Sequence, residues 1–158
     1  MRRNSRWVRG VLFGVLGESD RLDDVAQQVW QSVWKRIPDL REDAQWRTWL
    51  YRLARNAAID AGREQSRLRR LSDALADQRP RAAVASPVGE LVARETHGRV
   101  MEAIRSLPAL YREPFVLRHV NGWSYREIGE TMNLPPATVE TRLVRARRLL
   151  REALADTV

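Results

Sequence analysis

The sequence predicts an all-α protein: two small helical domains joined by a flexible linker, the C-terminal one containing a helix-turn-helix. Three observations carry this. Apolar residues recur at steps of three and four along most of the 158 residues, and strand-like alternation is nearly absent. Residues 72–89, SDALADQRPRAAVASPVG, hold two prolines, many small residues and no aromatic one, a composition that suits a tether better than a core. Downstream, a capping signature, a tight turn and a proline-initiated helix follow at helix-turn-helix spacing. The predicted units are therefore residues 1–71, a linker over 72–90, and residues 91–158.

The N-terminal stretch MRRNSRWVRGVLFGVLGES places basic residues before an apolar run and so imitates a signal peptide. The run from Val11 to Leu16 is short and glycine-interrupted, and no segment approaches the roughly 20 apolar residues of a membrane span. The expectation is a cytoplasmic protein without membrane insertion. From Leu22 to Ile37, the set Leu22, Val25, Ala26, Val29, Trp30, Val33, Trp34 and Ile37 forms one apolar stripe, with Trp30 and Trp34 expected mostly in packing. Pro38 ends that helix. After the polar loop DLREDA, Asp43 suits the cap of a second helix carrying Trp46, Trp49, Leu50, Leu53 and Ala57, which runs past Asp60 into REQSRLRRL. Beyond the tether, a helix from Leu91 to Leu107 stops at Pro108, and another spans Ala109 to Val120 with Pro114 in its first half. The sequence NGWS then turns the chain.

Ser124 and Glu127 have the spacing of a reciprocal capping box for a helix from Tyr125 to Met132. Ile128 and Met132 point inward from it, and Gly129 carries no side chain to hold a second helix away. Asn133 and Leu134 form the turn, and Pro136 suits the first position of the next helix, where its missing N–H is not needed. At about 100° per residue, Val139, Leu143, Ala146 and Leu150 share one face. Ala137, Thr138, Thr141, Arg145 and Arg148 lie opposite. Hydroxyls and arginine forks suit phosphates and base edges in a DNA groove. The competing reading is an ordinary amphipathic helix with a solvated basic face.

Composition narrows the function classes. Twenty-eight basic against 20 acidic residues give a net charge of +8 and a pI near 11.1. Such a balance favours polyanions. Lys35 is the only lysine, so a coding preference for arginine explains much of the pattern as well. With no cysteine there is no disulfide framework, thiolate metal site or cysteine nucleophile. The two histidines, His97 and His119, have no metal-ligand spacing, and no glycine loop suits a phosphate. An enzyme, a cofactor, a metal or a small-molecule substrate is not expected.

At this point two stretches resemble a known family. LPALYREPFVLRHVNGWSYREIGETMNLPPATVETRLVRARRLLREAL looks like region 4 of the extracytoplasmic-function (ECF) sigma factors, and LDDVAQQVWQSVWKRIPDLREDAQWRTWLYRLARNAAIDAGR looks like their region 2. The resemblance implies a dissociable transcription-initiation subunit. Region 2 would bind the clamp helices of the RNA polymerase beta-prime subunit and open the minus-10 element. Region 4 would bind the beta flap and read minus-35, and an anti-sigma factor is a possible further partner. By position, Asp23, Asp24, Gln27, Gln28 and Trp30 match the polymerase-binding motif. Leu40, Arg41, Asp43 and Ala44 match the loop that receives an unstacked minus-10 base, with Asn56 and Asp60 in the helix behind it. Arg47, Arg55 and Arg63 suit backbone phosphates, and Asn56 has the alternative reading of a polar residue on an exposed turn. The minus-35 residues would be Pro136, Ala137, Thr138, Glu140, Thr141, Arg142, Arg145 and Arg148.

Three departures from the family pattern stand out. The N-terminal region is short, which implies that the helix usually opening region 2 is trimmed or absent. Glu42 stands where glycine is usual, and Glu140 where a basic residue is usual. Glu140 has Leu143 and Val144 as its neighbours three and four positions on, so no local salt bridge neutralises it. It either accepts a hydrogen bond from a cytosine amino group or repels phosphate. Two other classes remain open: a stand-alone helix-turn-helix regulator, which would usually dimerise, and a helical protein whose basic face meets an acidic partner. Neither predicts the tryptophan-rich segment DAQWRTWLYRLARN.

Overall fold

A computed structural model describes residues 2–18, 20–40, 45–75 and 91–155. Among them there are seven α-helices and no strand: α1 (Arg2–Leu16), α2 (Leu22–Arg36), α3 (Trp46–Leu75), α4 (Leu91–Ser106), α5 (Ala109–His119), α6 (Tyr125–Met132) and α7 (Pro136–Ala155), with a 3-10 turn at Ile37–Asp39. The chain is all-α, as its periodicity predicts. A helix does open the first half: α1 buries Val8, Val11, Leu12 and Phe13, so of the two expectations, a trimmed or an absent first helix, absence is corrected.

Helix α2 begins with Asp23 and Asp24 and ends with Lys35 and Arg36, an order that complements the helix dipole at both ends. It buries Leu22, Val25, Ala26, Val29 and Val33. Trp30 packs partly against the core, but Trp34 is 63% exposed, so the assignment of Trp34 to packing is corrected. The reason is rotation. Each step of four advances about 40° beyond a full turn, and Trp34 follows Trp30 off the stripe. Ile37 is also half exposed, since the chain has already tightened into the 3-10 turn that holds Pro38.

Helix α3 is long and continues to Leu75, four residues into the segment expected to be tether. Its Leu50, Tyr51, Ala54, Ala58 and Ala61 are buried, and Trp46, Trp49, Leu53 and Ala57 pack against them. In the second half, Pro114 removes one donor inside α5. It is nevertheless among the most deeply buried side chains.

The helix-turn-helix forms as its residues require. The Ser124 hydroxyl accepts from the Glu127 amide at 3.2 Å, and the Ser124 amide donates to the Glu127 carboxylate at 2.8 Å. Asn133 takes the left-handed conformation, φ 56°, and the Leu134 amide closes onto the Gly129 carbonyl at 2.8 Å. A Cβ on Gly129 would lie 2.6 Å from the Leu134 carbonyl oxygen, so the turn requires glycine there. Val139, Leu143 and Ala146 of α7 are buried, as expected of their face.

The two halves are packed together. One continuous apolar cluster takes Val8, Leu12, Val25, Val29, Leu50 and Ala54 from the first half and Val116, Leu117, Trp123, Ile128, Val139 and Leu143 from the second. Helix α1 lies between them, against α3 on one side and α5 on the other.

Candidate nucleic-acid interface

On α7, Pro136, Ala137, Glu140, Thr141, Arg145 and Arg148 are exposed, and Thr138 and Arg142 are half-buried. The groove face expected from the helical wheel is therefore outward and continuous. Two of its members are already engaged. The Thr141 hydroxyl donates to the Ala137 carbonyl at 2.9 Å, and Arg148 pairs with Glu152 at 3.3 Å one turn on. Both exposed contacts are weak enough to exchange for phosphate or base edges. Glu140 stands beside them in solvent, and no ion pair or side-chain hydrogen bond reaches it among the described residues.

On α3, the expected minus-10 residues divide. Asn56, Asp60 and Arg63 are exposed on one face, with Arg63 held 3.9 Å from Asp60 one turn away. Arg47 belongs to the other side. It precedes Ala54 by seven residues, so it lies above the buried stripe of Ala54 and Ala58 and roughly opposite Asn56. There it pairs with Glu127 of α6 at 3.2 Å and stacks over the Trp46 ring, 5.8 Å from its centroid. Leu40 is half-buried where the 3-10 turn ends, whereas Arg41, Glu42, Asp43 and Ala44 lie outside the described residues, and with them the expected Asp43 cap.

On α2, Asp23, Asp24, Gln27 and Gln28 form an exposed polar row, with Trp30 half-buried at its edge. Asp23 is paired with Arg9 of α1. The row is thus anchored to the first helix and open to solvent.

A polar cluster lies where α3 meets α5, joined by partners too far apart in sequence for periodicity to pair. Glu113 is 8% exposed. Its carboxylate accepts from Arg55 Nε at 2.9 Å, from Arg55 Nη2 at 3.3 Å, and from the Tyr51 hydroxyl at 3.2 Å. Burial and the Glu113 charge push the Tyr51 hydroxyl pKa well above its usual value, so it remains a donor, and the Glu113 hydrogen bond pushes the Arg55 pKa up. Next to it, Arg112 is buried and donates to four carbonyls: Gly14 (2.9 Å), Val15 (2.9 Å), Arg105 (2.8 Å) and Leu107 (2.9 Å). Burial lowers its pKa from the ordinary value. Trp7 meets Trp123 with ring centroids 5.6 Å apart and Trp46 at 6.4 Å. The available signal was the spacing of Gly10 and Gly14, which places two glycines on one side of the first helix, with Gly17 just past its end.

No group of three or more His, Asp or Glu side chains among the described residues could hold a metal ion, and no described helix is long and apolar enough to cross a membrane.

Comparison with known proteins places this arrangement. Residues 1–68 match the family Sigma-70 region 2, and residues 97–150 match Sigma-70, region 4. The chain is 30% identical over 151 residues to the ECF RNA polymerase sigma factor SigW of Bacillus subtilis, covering 91% of this chain and 81% of the relative. It is also 30% identical over 150 residues to the ECF RNA polymerase sigma-E factor of Haemophilus influenzae, covering 90% and 79%. Among solved structures, the sigma factor RpoE in complex with the anti-sigma factor NepR from Bartonella quintana superposes with a TM-score of 0.71 at 22% identity, covering 96% of this chain and 91% of that one. CnrH in complex with the cytosolic domain of CnrY gives 0.63 at 26% identity, over 96% and 82%. With two family regions matched in order and an all-α fold to hold them, the chain belongs to the ECF RNA polymerase sigma factors of the sigma-70 family.

Proposed function

We propose that this sigma factor joins core RNA polymerase through region 2 and region 4 and contacts both promoter elements with the faces described above. The exposed row Asp23, Asp24, Gln27 and Gln28, with Trp30 behind it, meets the beta-prime clamp helices, and the second half meets the beta flap. The α7 face from Pro136 to Arg148, including Ala137, Thr138, Glu140, Thr141, Arg142 and Arg145, enters the minus-35 major groove. Leu40, Arg41, Asp43 and Ala44 receive the minus-10 base, and Asn56, Asp60 and Arg63 flank the strand, joined by Arg47 once its partner is displaced. The domains are residues 1–71 and 91–158, with 72–90 between them. The chain acts in the cytoplasm, carries out no chemistry of its own, and takes an anti-sigma factor as a further partner.

The observation that carries this reading is the outward threonine and arginine face of α7, set on a capped helix-turn-helix. A groove-reading helix needs that combination of firm seating and exposed polar side chains. Run-off transcription with purified core enzyme on a genomic fragment library tests it. Discrete products that depend on the added chain are expected. No such product, together with tight operator-like binding by a dimer of this chain alone, would sink the proposal in favour of a stand-alone regulator.

A further inference from the structure

We propose that the cleft bordered by the first turns of α1 and α3 and by the turn between α5 and α6 is a binding site for a small planar aromatic carboxylate. Its volume is about 450 Å³, inside the range of roughly 300–1,000 Å³ that small-molecule sites occupy. Apart from Arg47, its residues take no part in the polymerase and promoter contacts proposed above. Three of the chain's six tryptophans line it. Trp7 stands between the other two, its ring centroid 5.6 Å from that of Trp123 and 6.4 Å from that of Trp46. Trp123 is buried, whereas Trp7 and Trp46 keep part of their surface in solvent. Flat rings add to such indole surface in offset or tilted arrangements.

The polar groups of the cleft are mainly donors. Arg6 and Arg47 are both exposed. The Arg47 guanidinium lies 5.8 Å from the Trp46 ring centroid and 3.2 Å from the Glu127 carboxylate, which balances its charge. Arg6 has no ion pair among the described residues, so the lining carries one net positive charge. The indole N–H groups of Trp7, Trp46 and Trp123 have no acceptor among the described residues, although a tryptophan held in a partly buried place usually finds one. At the turn, Gly122 has φ +71°, and a Cβ there would meet nothing within 4 Å, so the backbone leaves the space open.

This chemistry selects the ligand class. A quaternary ammonium would suit the rings but would be repelled by the net positive lining. An uncharged hydrocarbon would leave the donors unpaired. A carboxylate carried on a flat ring meets both needs, because the ring covers indole surface while its oxygens accept charge-assisted hydrogen bonds from the Arg6 fork. A phosphate, with close to two negative charges, exceeds the single charge that the lining balances and faces Glu127 as well.

The test uses the full-length chain labelled with nitrogen-15, in which the six indole N–H resonances are assigned through single tryptophan-to-phenylalanine variants. Titration with 2-naphthoate is expected to move the resonances of Trp7, Trp46 and Trp123 along one saturable curve. A dissociation constant of about 1 mM or tighter is expected for a ligand of about 13 non-hydrogen atoms. Trp34 is the control for unselective contact, since it is 63% exposed on α2 and is expected to stay in place. The uncharged 2-naphthamide is expected to bind about tenfold more weakly, and Arg6→Gln to weaken 2-naphthoate by a similar factor, as one charge-assisted contact is lost. Arg6 is exposed, so the helical circular dichroism of that variant should be unchanged. Absence of a saturable shift up to about 10 mM, movement of Trp34 together with the three cleft resonances, or equal affinity for the acid and the amide overturns the site. So does unchanged affinity in Arg6→Gln. Adenosine monophosphate binding more tightly than 2-naphthoate would overturn the carboxylate assignment in favour of a nucleotide. Neither core enzyme nor promoter DNA enters these titrations, so their failure and that of run-off transcription are read separately.

Discussion

Ser124 and Glu127 show how two residues fix the start of α6, the helix that precedes the one proposed to read DNA. Each satisfies an amide that a helix start leaves unpaired, and the hydrogen bonds from Ser124, backbone and side chain, hold the Glu127 carboxyl below its usual range, with Arg47 adding to the shift. Ser124→Ala is expected to lower stability by about 1 kcal/mol, measured as a shift in urea midpoint without a change in slope. Because the folded pKa of Glu127 is depressed, its contribution is complete above its ordinary value near 4.5 and is lost as pH falls through the folded value. Comparing the chain with Glu127→Gln in urea titrations at pH 7 and pH 3 should show a stability difference that narrows at the lower pH. An equal difference at both would place the effect in packing rather than charge. These residues were legible in the sequence because a capping box is a contact three residues long. Glu113 was not, because its partners Tyr51 and Arg55 are 62 and 58 positions away.

At the scale of the helix, α7 divides into a buried seam and a polar face, and the proposed readout lies in the polar one. Glu140→Arg separates readout from repulsion: altered preference at one minus-35 position indicates a base contact, whereas uniformly tighter binding with a steeper salt slope indicates phosphate repulsion. Arg145→Ala is expected to weaken promoter binding, by about 1–3 kcal/mol if its fork holds a guanine, measured by titration against promoter fragments at fixed salt. The seam was readable from periodicity, since Val139, Leu143 and Ala146 are all buried. The same reasoning misplaced Trp34 on α2, because a step of four repeated twice rotates a side chain away from its stripe. It also ended α3 too early. Composition suggested a tether from residue 72, yet the helix continues to Leu75 with Leu68 and Leu71 half exposed, supported by backbone bonding rather than by a core.

For the molecule as a whole, the shared core is expected to make the two halves one cooperative body. Leu12, fully buried in α1, belongs to the cluster that joins both halves. Leu12→Ala is expected to destabilise by about 2–5 kcal/mol. If the halves unfold together, helical circular dichroism and near-ultraviolet tryptophan signals should move to the same lower midpoint. Two separated transitions, with only the first shifted, would show that the halves unfold independently. The same contact surface pairs Arg47 with Glu127 and Arg55 with Glu113 across the two halves.

The sequence by itself determined the all-α class, the order of the two regions, the capped helix-turn-helix and the outward face of α7, because each depends on spacings of three or four residues. Only the tertiary structure decided that α1 is the contact between the halves, that Glu113 and Glu127 neutralise two arginines of α3, and that Trp34 faces solvent. Local periodicity says which side of a helix is apolar. Which partner covers that side, and which distant charge comes to rest against it, follows from how the helices meet in space.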